Sequence, residues 1–274
     1  MSSRSFGWKE DQGIVEGAES LTAVIRRPGR ARGTRPSLKH LRKQRLYQDG
    51  FGACVAFSEA RGIHMSLLHQ GVSDAPVPSP LHLYFNGRAQ EYAGTDADKR
   101  PPLEDRGMYP SKALRATQQL GFVAWDDFPY GAPLAQHNEV NAGFAHIWTE
   151  PPPKVDRLAF DQEGLRWFDI PPKGRMDAIE DCYAQGLPVL LALDCDRPFC
   201  DIRSSEPIKS LDPNDKIGGH MLCGLEVTSD GHWLIDNWWE DWGFEDGFGI
   251  LHRDLVESYA VRNVVALLPV PTYA

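Results

Sequence analysis

The sequence predicts an α+β protein, in which a mainly helical N-terminal half is followed by an antiparallel β half. Between residues 54 and 68, apolar residues recur every three or four positions, as they do on a helix. Successive prolines at 150–154, EPPPK, then mark a stiff crossing that neither a helix nor a sheet continues. Beyond it, short apolar runs alternate with turn signals, which is typical of strands. Two such lobes leave a cleft between them, where ligands usually bind.

The helical half contains two clear helices. The first begins at Cys54 and ends near Gly71, since glycine is common just beyond a helix C-terminus. The second runs over residues 110–121, and a short helix is predicted around 83–85. One more helix, over residues 176–185, precedes the strands. Cys54 therefore lies in the first turn of a helix.

The β half is predicted to form an antiparallel sheet or a partly closed barrel. The pair Asp230-Gly231 between two of the apolar runs is a hairpin signal. The predicted strands span residues 188–194, 220–228, 232–238, 248–251 and 263–270.

Charge restricts the partners of the chain. Its 274 residues carry a formal net charge of −9, so a nucleic-acid partner is not favoured. One segment, residues 26–45, holds nine Lys or Arg residues and no acidic residue. Such a basic arm either lies over the protein's own acidic surface or docks on an acidic partner.

Neither export nor a membrane span is predicted. No apolar run reaches the roughly 18 residues that cross a bilayer, and the N-terminus has no apolar signal core. The five cysteines are an odd number at irregular spacing, which favours a reducing compartment. Cys195 and Cys200 lie near two aspartates, but their spacing differs from that of zinc sites, so we expect no metal and no cofactor. A cytoplasmic protein is expected, or a virion-associated one if it serves an assembly.

A thiol in the first turn of a helix is well placed for nucleophilic chemistry. The positive end of the helix dipole favours the thiolate form of Cys54. A nucleophile also needs a base, and His220 opens a predicted strand in GGHMLCGLEV. Asn237 ends the next strand of the same hairpin, where its amide can orient the imidazole. These three residues predict a nucleophile, a base and an orienting group at one end of the cleft.

Gln48, six residues before Cys54, supplies a fourth element. Acyl transfer places negative charge on the carbonyl oxygen of the substrate, and a side-chain amide together with the backbone N–H of the nucleophile can stabilise it. Gly50 and Gly52 are expected to let the intervening loop turn sharply enough to bring both donors together.

These motifs resemble those of papain-like cysteine proteases. QDGFGACVAFS is similar to the family's glutamine and cysteine stretch, and GGHMLCGLEV with WLIDNWWEDWGFEDGFGIL is similar to its histidine and asparagine blocks. The resemblance implies that Cys54 is the nucleophile, His220 the general base and acid, Asn237 its orienting group and Gln48 the oxyanion donor. It also implies a papain-like two-lobe fold, with a helical left lobe, an antiparallel β-barrel right lobe and the active site in the cleft between them.

The middle of the chain resembles the bacterial and viral branch of this family more loosely. Gly107, in EDRGMYP, is expected in the backbone strip that pairs with an extended substrate, and Met108 and Met221 are expected to face the specificity pocket. Trp239 matches the tryptophan that shields the histidine–asparagine hydrogen bond, although a tryptophan rather than the family's serine follows Asn237.

The resemblance implies a catalytic domain over residues 36–274, with the helical lobe at about 36–150 and the β lobe at about 151–274. Residues 1–35 then form a basic arm or a short pro-like extension, which could occupy the cleft as an extended peptide. The implied activity is that of a thiol protease, an endopeptidase that hydrolyses peptide or protein substrates. Two alternatives remain: a catalytically silent subunit of an assembly such as a virion, and an amidase that acts on peptidoglycan stem peptides.

Overall fold

The helical half of the protein packs against a six-stranded antiparallel sheet. The structure is a computed structural model, and it describes residues 6–11, 18–19, 21, 36–96, 99, 101, 103–130 and 150–269. The predicted boundary near residue 150 stays a prediction, since residues 131–149 lie outside the described part. Within that part, no helix has the length and apolar character needed to cross a membrane.

Three helices build the helical half, and they contact one another. They are α1 (Cys54–His69), α2 (Pro80–Ala89) and α3 (Pro110–Leu120). The predictions for α1 and α3 are confirmed, and the helix predicted around 83–85 is longer than expected. This helix is α2, and its start has a clear signal in the sequence. Ser79 caps α2 by accepting a hydrogen bond from His82 N (3.2 Å), and Pro80 occupies its first turn.

Shorter helices accompany the strands. They are α4 (Pro153–Asp156), α5 (Arg175–Ala184), α6 (Arg197–Cys200) and α7 (Arg253–Val256). Single 3₁₀ turns occur at Lys39–Leu41, Gln90–Tyr92 and Pro213–Asp215.

The sheet has the order β1-β6-β2-β3-β4-β5, and every pairing is antiparallel. Its strands are β1 (Arg166–Asp169), β2 (Val189–Cys195), β3 (Gly218–Val227), β4 (Trp233–Asp236), β5 (Phe248–Leu251) and β6 (Val261–Leu268). The five predicted strands are confirmed, whereas β1, only four residues long, was not predicted. The predicted barrel is wrong in one respect: the sheet is open, because β1 and β5 end it on opposite sides and do not pair with each other.

Helix α1 lies between the sheet and the other two helices, and it is buried on all sides. The sequence predicts only one apolar face for it. Two charged side chains, Glu59 and Arg61, are therefore buried within it. Burial raises the pKa of Glu59 to about 8, against a smaller lowering by a hydrogen bond with Thr117 of α3.

This raised pKa predicts a stability that falls with pH. Between its ordinary pKa of 4.5 and about 8, Glu59 holds a proton in the folded chain that the unfolded chain has released. The free energy of unfolding therefore decreases as the pH rises through this interval. We expect Glu59→Gln to remove this part of the decrease, measured by urea denaturation at pH 5 and pH 8. The exposed Glu163→Gln is the control, and an unchanged slope in Glu59→Gln would contradict the assignment.

Candidate active site

Cys54 opens helix α1 and is completely buried, with 0% of its surface exposed. Helix α1 packs against β3, the strand that carries His220. Backbone hydrogen bonds from Met221 and Gly7 reach the Cys54 sulfur. They lower the pKa of the thiol, so they are donated to the sulfur by N–H groups. The sulfur therefore lies beside the residue that follows His220.

Burial dominates the titration of this thiol. Loss of hydration raises the pKa of Cys54 to about 12, and the backbone donors offset only part of the rise. Cys54 is consequently a neutral thiol at neutral pH in this closed state. A neutral thiol is a poor nucleophile.

His220 and Asn237 form a buried hydrogen bond. Nε2 of His220 lies 2.8 Å from Oδ1 of Asn237, which also accepts from the backbone N–H of Trp238 (2.7 Å). Because Oδ1 can only accept, the imidazole carries its proton on Nε2. The Trp239 ring stacks on the imidazole, with centroids 4.0 Å apart and 21° between the planes. Trp239 therefore covers one face of the imidazole.

Gln48 is held at the same place by its backbone. Its N–H donates to Trp238 O (3.0 Å), and its carbonyl accepts from the hydroxyl of Tyr130 (2.6 Å). Its side-chain amide donates to Phe51 O. The turn that follows places Asp49 in the left-handed region, with φ of 53°, so the sharp turn predicted for the glycines is made at an aspartate instead.

The loop before Cys54 is tied to another segment of the helical half. Gly52 N donates to Oδ1 of Asp105 (2.9 Å), and the Tyr84 hydroxyl donates to the same oxygen. The backbone N–H of Gly107 donates to that hydroxyl (3.2 Å). Asp105 and Tyr84 thus fix the 107–108 strip relative to the nucleophile. Neither residue belongs to a recognised motif, so neither was predicted from the sequence.

Residues 6–11, here called the strap, lie across the site. Met108 N donates to Gly7 O (2.8 Å), and Lys9 N donates to Met108 O (3.3 Å). Met108 thus pairs with the strap, and the pairing of the Gly107 strip with a substrate stays a prediction. The Met108 side chain points away from the strap, since its sulfur lies where a Cβ on Gly87 of α2 would be.

The other edge of the strap contacts strand β3. Trp8 N donates to Gly219 O (3.2 Å). The Phe6 and Trp8 rings occupy the space where side chains on Gly218 and Gly219 would be, at 2.3 Å and 2.2 Å from an added Cβ. The strap therefore bridges the two halves of the molecule and covers the cleft.

The strap passes the nucleophile loop at a distance that only glycine permits. A Cβ on Gly7 would lie 1.7 Å from Gly52 O. Further along, Oδ2 of Asp11 accepts from Ser111 N (2.6 Å) in the first turn of α3. This carboxylate caps a helix whose own N-cap residue, Tyr109, provides no side-chain acceptor.

A buried ion pair joins the nucleophile helix to the strand that precedes Asn237. Arg61 Nε lies 2.9 Å from Asp236 Oδ2, and both side chains are at most 1% exposed. On the other oxygen, Oδ1 of Asp236 lies 3.1 Å from Arg42. Residues from three separate parts of the chain therefore meet at one carboxylate.

The described part of the basic run, residues 36–45, contacts the chain's own acidic residues. Arg42 and Arg45 pair with Asp246 at 2.9 Å and 3.3 Å. This agrees with an arm that lies over the protein's own acidic surface. Residues 26–35 lie outside the described part, and a docking partner stays a prediction.

All five cysteines are buried free thiols. Cys195 and Cys200 are among them, and within the described residues no three His, Cys, Asp or Glu side chains gather in a cluster that could hold a metal ion. The predicted site residues lie in one region around the strap. They are Cys54, His220, Asn237, Gln48, Trp239, Met221 and the 107–108 strip.

Comparisons with known proteins support this fold. Neither a protein-family model nor a curated protein sequence matches the chain. Solved structures do: xylellain, a cysteine protease from Xylella fastidiosa, superposes with a TM-score of 0.74 at 18% identity, over 98% of each chain. Digestive procathepsin L 3 of the Tenebrio molitor larval midgut gives 0.67 at 14% identity, over 95% of this chain and 75% of that one. Procathepsin B S9 from Trypanosoma congolense gives 0.62 at 16% identity, over 93% and 86%.

These neighbours show that the chain has the two-lobe α+β fold of papain-like cysteine proteases. The predicted fold class is thereby confirmed, with an open sheet in place of the barrel. The bacterial and viral branch stays a prediction.

The buried ion pair predicts a large loss of stability on truncation. Asp236→Ala leaves the buried Arg61 guanidinium without its carboxylate, so we expect the free energy of unfolding to fall by about 3–5 kcal/mol. Asp246→Ala is the matched control, because it also pairs with Arg42 but its side chain is 56% exposed, and it should lose no more than about 1 kcal/mol. Equal losses in denaturant unfolding would refute the special role of Asp236.

Proposed function

We propose that this protein is a cysteine peptidase that hydrolyses peptide bonds in a peptide or protein substrate. One observation carries the proposal: Cys54, at the start of α1, lies beside the strand that bears His220, and His220 is hydrogen-bonded to Asn237. A helix N-terminal thiol, an imidazole and an orienting amide are the parts that nucleophilic acyl transfer requires. The fold of papain-like cysteine proteases supports the same activity.

The hydrogen bond to Asn237 determines how His220 acts. With its proton on Nε2, the imidazole has Nδ1 as its basic nitrogen. Nδ1 takes the thiol proton, and the sulfur of Cys54 attacks the substrate carbonyl. The oxyanion is stabilised by the Cys54 backbone N–H and by the Gln48 amide, which has two hydrogens, one of them directed to Phe51 O. His220 then protonates the leaving amine, and water hydrolyses the thioester.

The strap makes the described state a latent one. It lies on the Cys54 sulfur, and Cys54, His220, Asn237 and Gln48 all have 0% exposure, so a substrate has no access to them. The backbone of Gly7 in the strap is hydrogen-bonded to the Cys54 sulfur, so the strap occupies the place next to the thiol. We therefore propose that residues 1–35 include a pro-like segment, whose residues 6–11 must leave before catalysis.

Displacement of the strap should expose the thiol. In Gly7→Val the new side chain collides with Gly52 O, so we expect the strap to detach and the alkylation of Cys54 by iodoacetamide to accelerate more than about tenfold. Hydration of the thiol should also lower its pKa, so the gain should be largest near neutral pH. Intact mass gives the rate, and Glu10→Gln, an exposed change in the same segment, is the control. Equal rates in the two variants would remove the latency proposal.

Catalysis is then tested in the Gly7→Val chain with internally quenched peptides. Cleavage should vanish in Cys54→Ser, fall by a factor of at least about 10³ in His220→Ala and persist in the control Cys182→Ser, another buried thiol. Fast alkylation without peptide cleavage would favour the amidase alternative, which is checked on peptidoglycan stem peptides. Slow alkylation that His220→Ala does not change would favour the silent subunit.

A further inference from the structure

The strap directs its side chains to two different walls of the cleft. Phe6 and Trp8 lie on strand β3, and Lys9 points to the helical half. This alternation is that of an extended chain, in which neighbouring side chains point to opposite sides. A peptide that replaces the strap along Met108 therefore also directs every second side chain toward the helical half.

Lys9 lines a cavity of about 190 Å³ together with Glu91 of that wall. Its ammonium lies 2.8 Å and 3.0 Å from the two carboxylate oxygens of Glu91, and 4.9 Å from the centre of the Tyr109 ring. The Glu91 side chain is only 18% exposed. The surroundings of the Lys9 ammonium thus combine a largely buried carboxylate with an aromatic ring, both of which favour a basic side chain.

Two arginines also line the cavity, and one of them, Arg88, is attracted electrostatically by Glu91. Arg88 donates to Tyr84 O (3.1 Å) and to Glu104 O (3.0 Å), and Arg106 pairs with the carboxylate of Glu104. Among the described residues, the ion-pair partner of Glu91 is the lysine of the strap. When the strap leaves, Glu91 loses this partner.

We propose that Glu91 is a specificity determinant that selects a lysine or arginine side chain of the substrate. The strap shows that this wall binds a basic side chain when a chain pairs with Met108. This inference rests on the proposed peptidase function and narrows it to substrates with a basic residue near the cleaved bond. The Glu91 carboxylate binds the ammonium or guanidinium group, and the Tyr109 ring packs over the cation.

The test uses the full chain carrying Gly7→Val and Lys9→Ala, so that the strap is displaced and the cavity is vacant. A first series of internally quenched peptides carries a single lysine at successive positions. A paired series carries norleucine at the same positions. At one position we expect kcat/KM to be about fivefold higher for lysine, as a partly exposed ion pair would give. This ratio does not depend on the fraction of open enzyme, since both peptides meet the same enzyme.

Glu91→Gln should reduce the ratio to about one, whereas the control Glu104→Gln, in the same wall but paired with Arg106, should retain it. Cleavage with equal rates for both series would overturn the inference and leave the peptidase function intact. If neither series is cleaved, the affinities of the lysine and norleucine peptides for the Cys54→Ser chain are compared instead. A lysine preference that Glu91→Gln abolishes supports the subsite without the activity, and equal affinities overturn it.

Discussion

The arrangement of the candidate site depends on one buried carboxylate. Asp236 lies between Arg61 of the nucleophile helix and Arg42, and the next residue along the chain is Asn237. Ionised groups are poorly stabilised in a protein interior unless they are paired. Any shift of α1 away from β4 would separate these charges, so the pair resists the motion that would move Cys54 relative to the His220–Asn237 hydrogen bond. The position of the nucleophile is therefore set by an interaction two turns further along its helix.

Burial has opposite effects on structure and reactivity at this site. Burial excludes water, which strengthens the His220–Asn237 hydrogen bond in its low-dielectric surroundings. The same exclusion raises the pKa of Cys54 to about 12 and keeps the thiol neutral. A site assembled in this way can keep its geometry while its thiol stays protonated and therefore poorly nucleophilic. The proposed latency then needs no distortion of the candidate site residues, only the loss of water and access.

Much of the fold and of the candidate site can be predicted from the sequence, because local signals specify them. Glycines end α1 and α3, and the order of cysteine, histidine and asparagine is visible in short motifs. Contacts between distant segments leave no such signal. Asp105 and the strap act through backbone groups of other segments, and the four residues of β1 are too few to show a period. The sheet is open because β1 and β5 do not pair with each other, and no local sequence pattern indicates this.

The covalent attachment of the strap explains how modest contacts can close the cleft. Its backbone hydrogen bonds to Met108 and Gly219 and its Lys9–Glu91 ion pair are each worth on the order of 1 kcal/mol. A tethered segment, however, has an effective concentration in the millimolar range. A free peptide with the same contacts competes poorly unless it is abundant or binds more tightly. Because the strap uses the Met108 strip and the Glu91 wall that we propose for the substrate, closure and selectivity would depend on the same few residues.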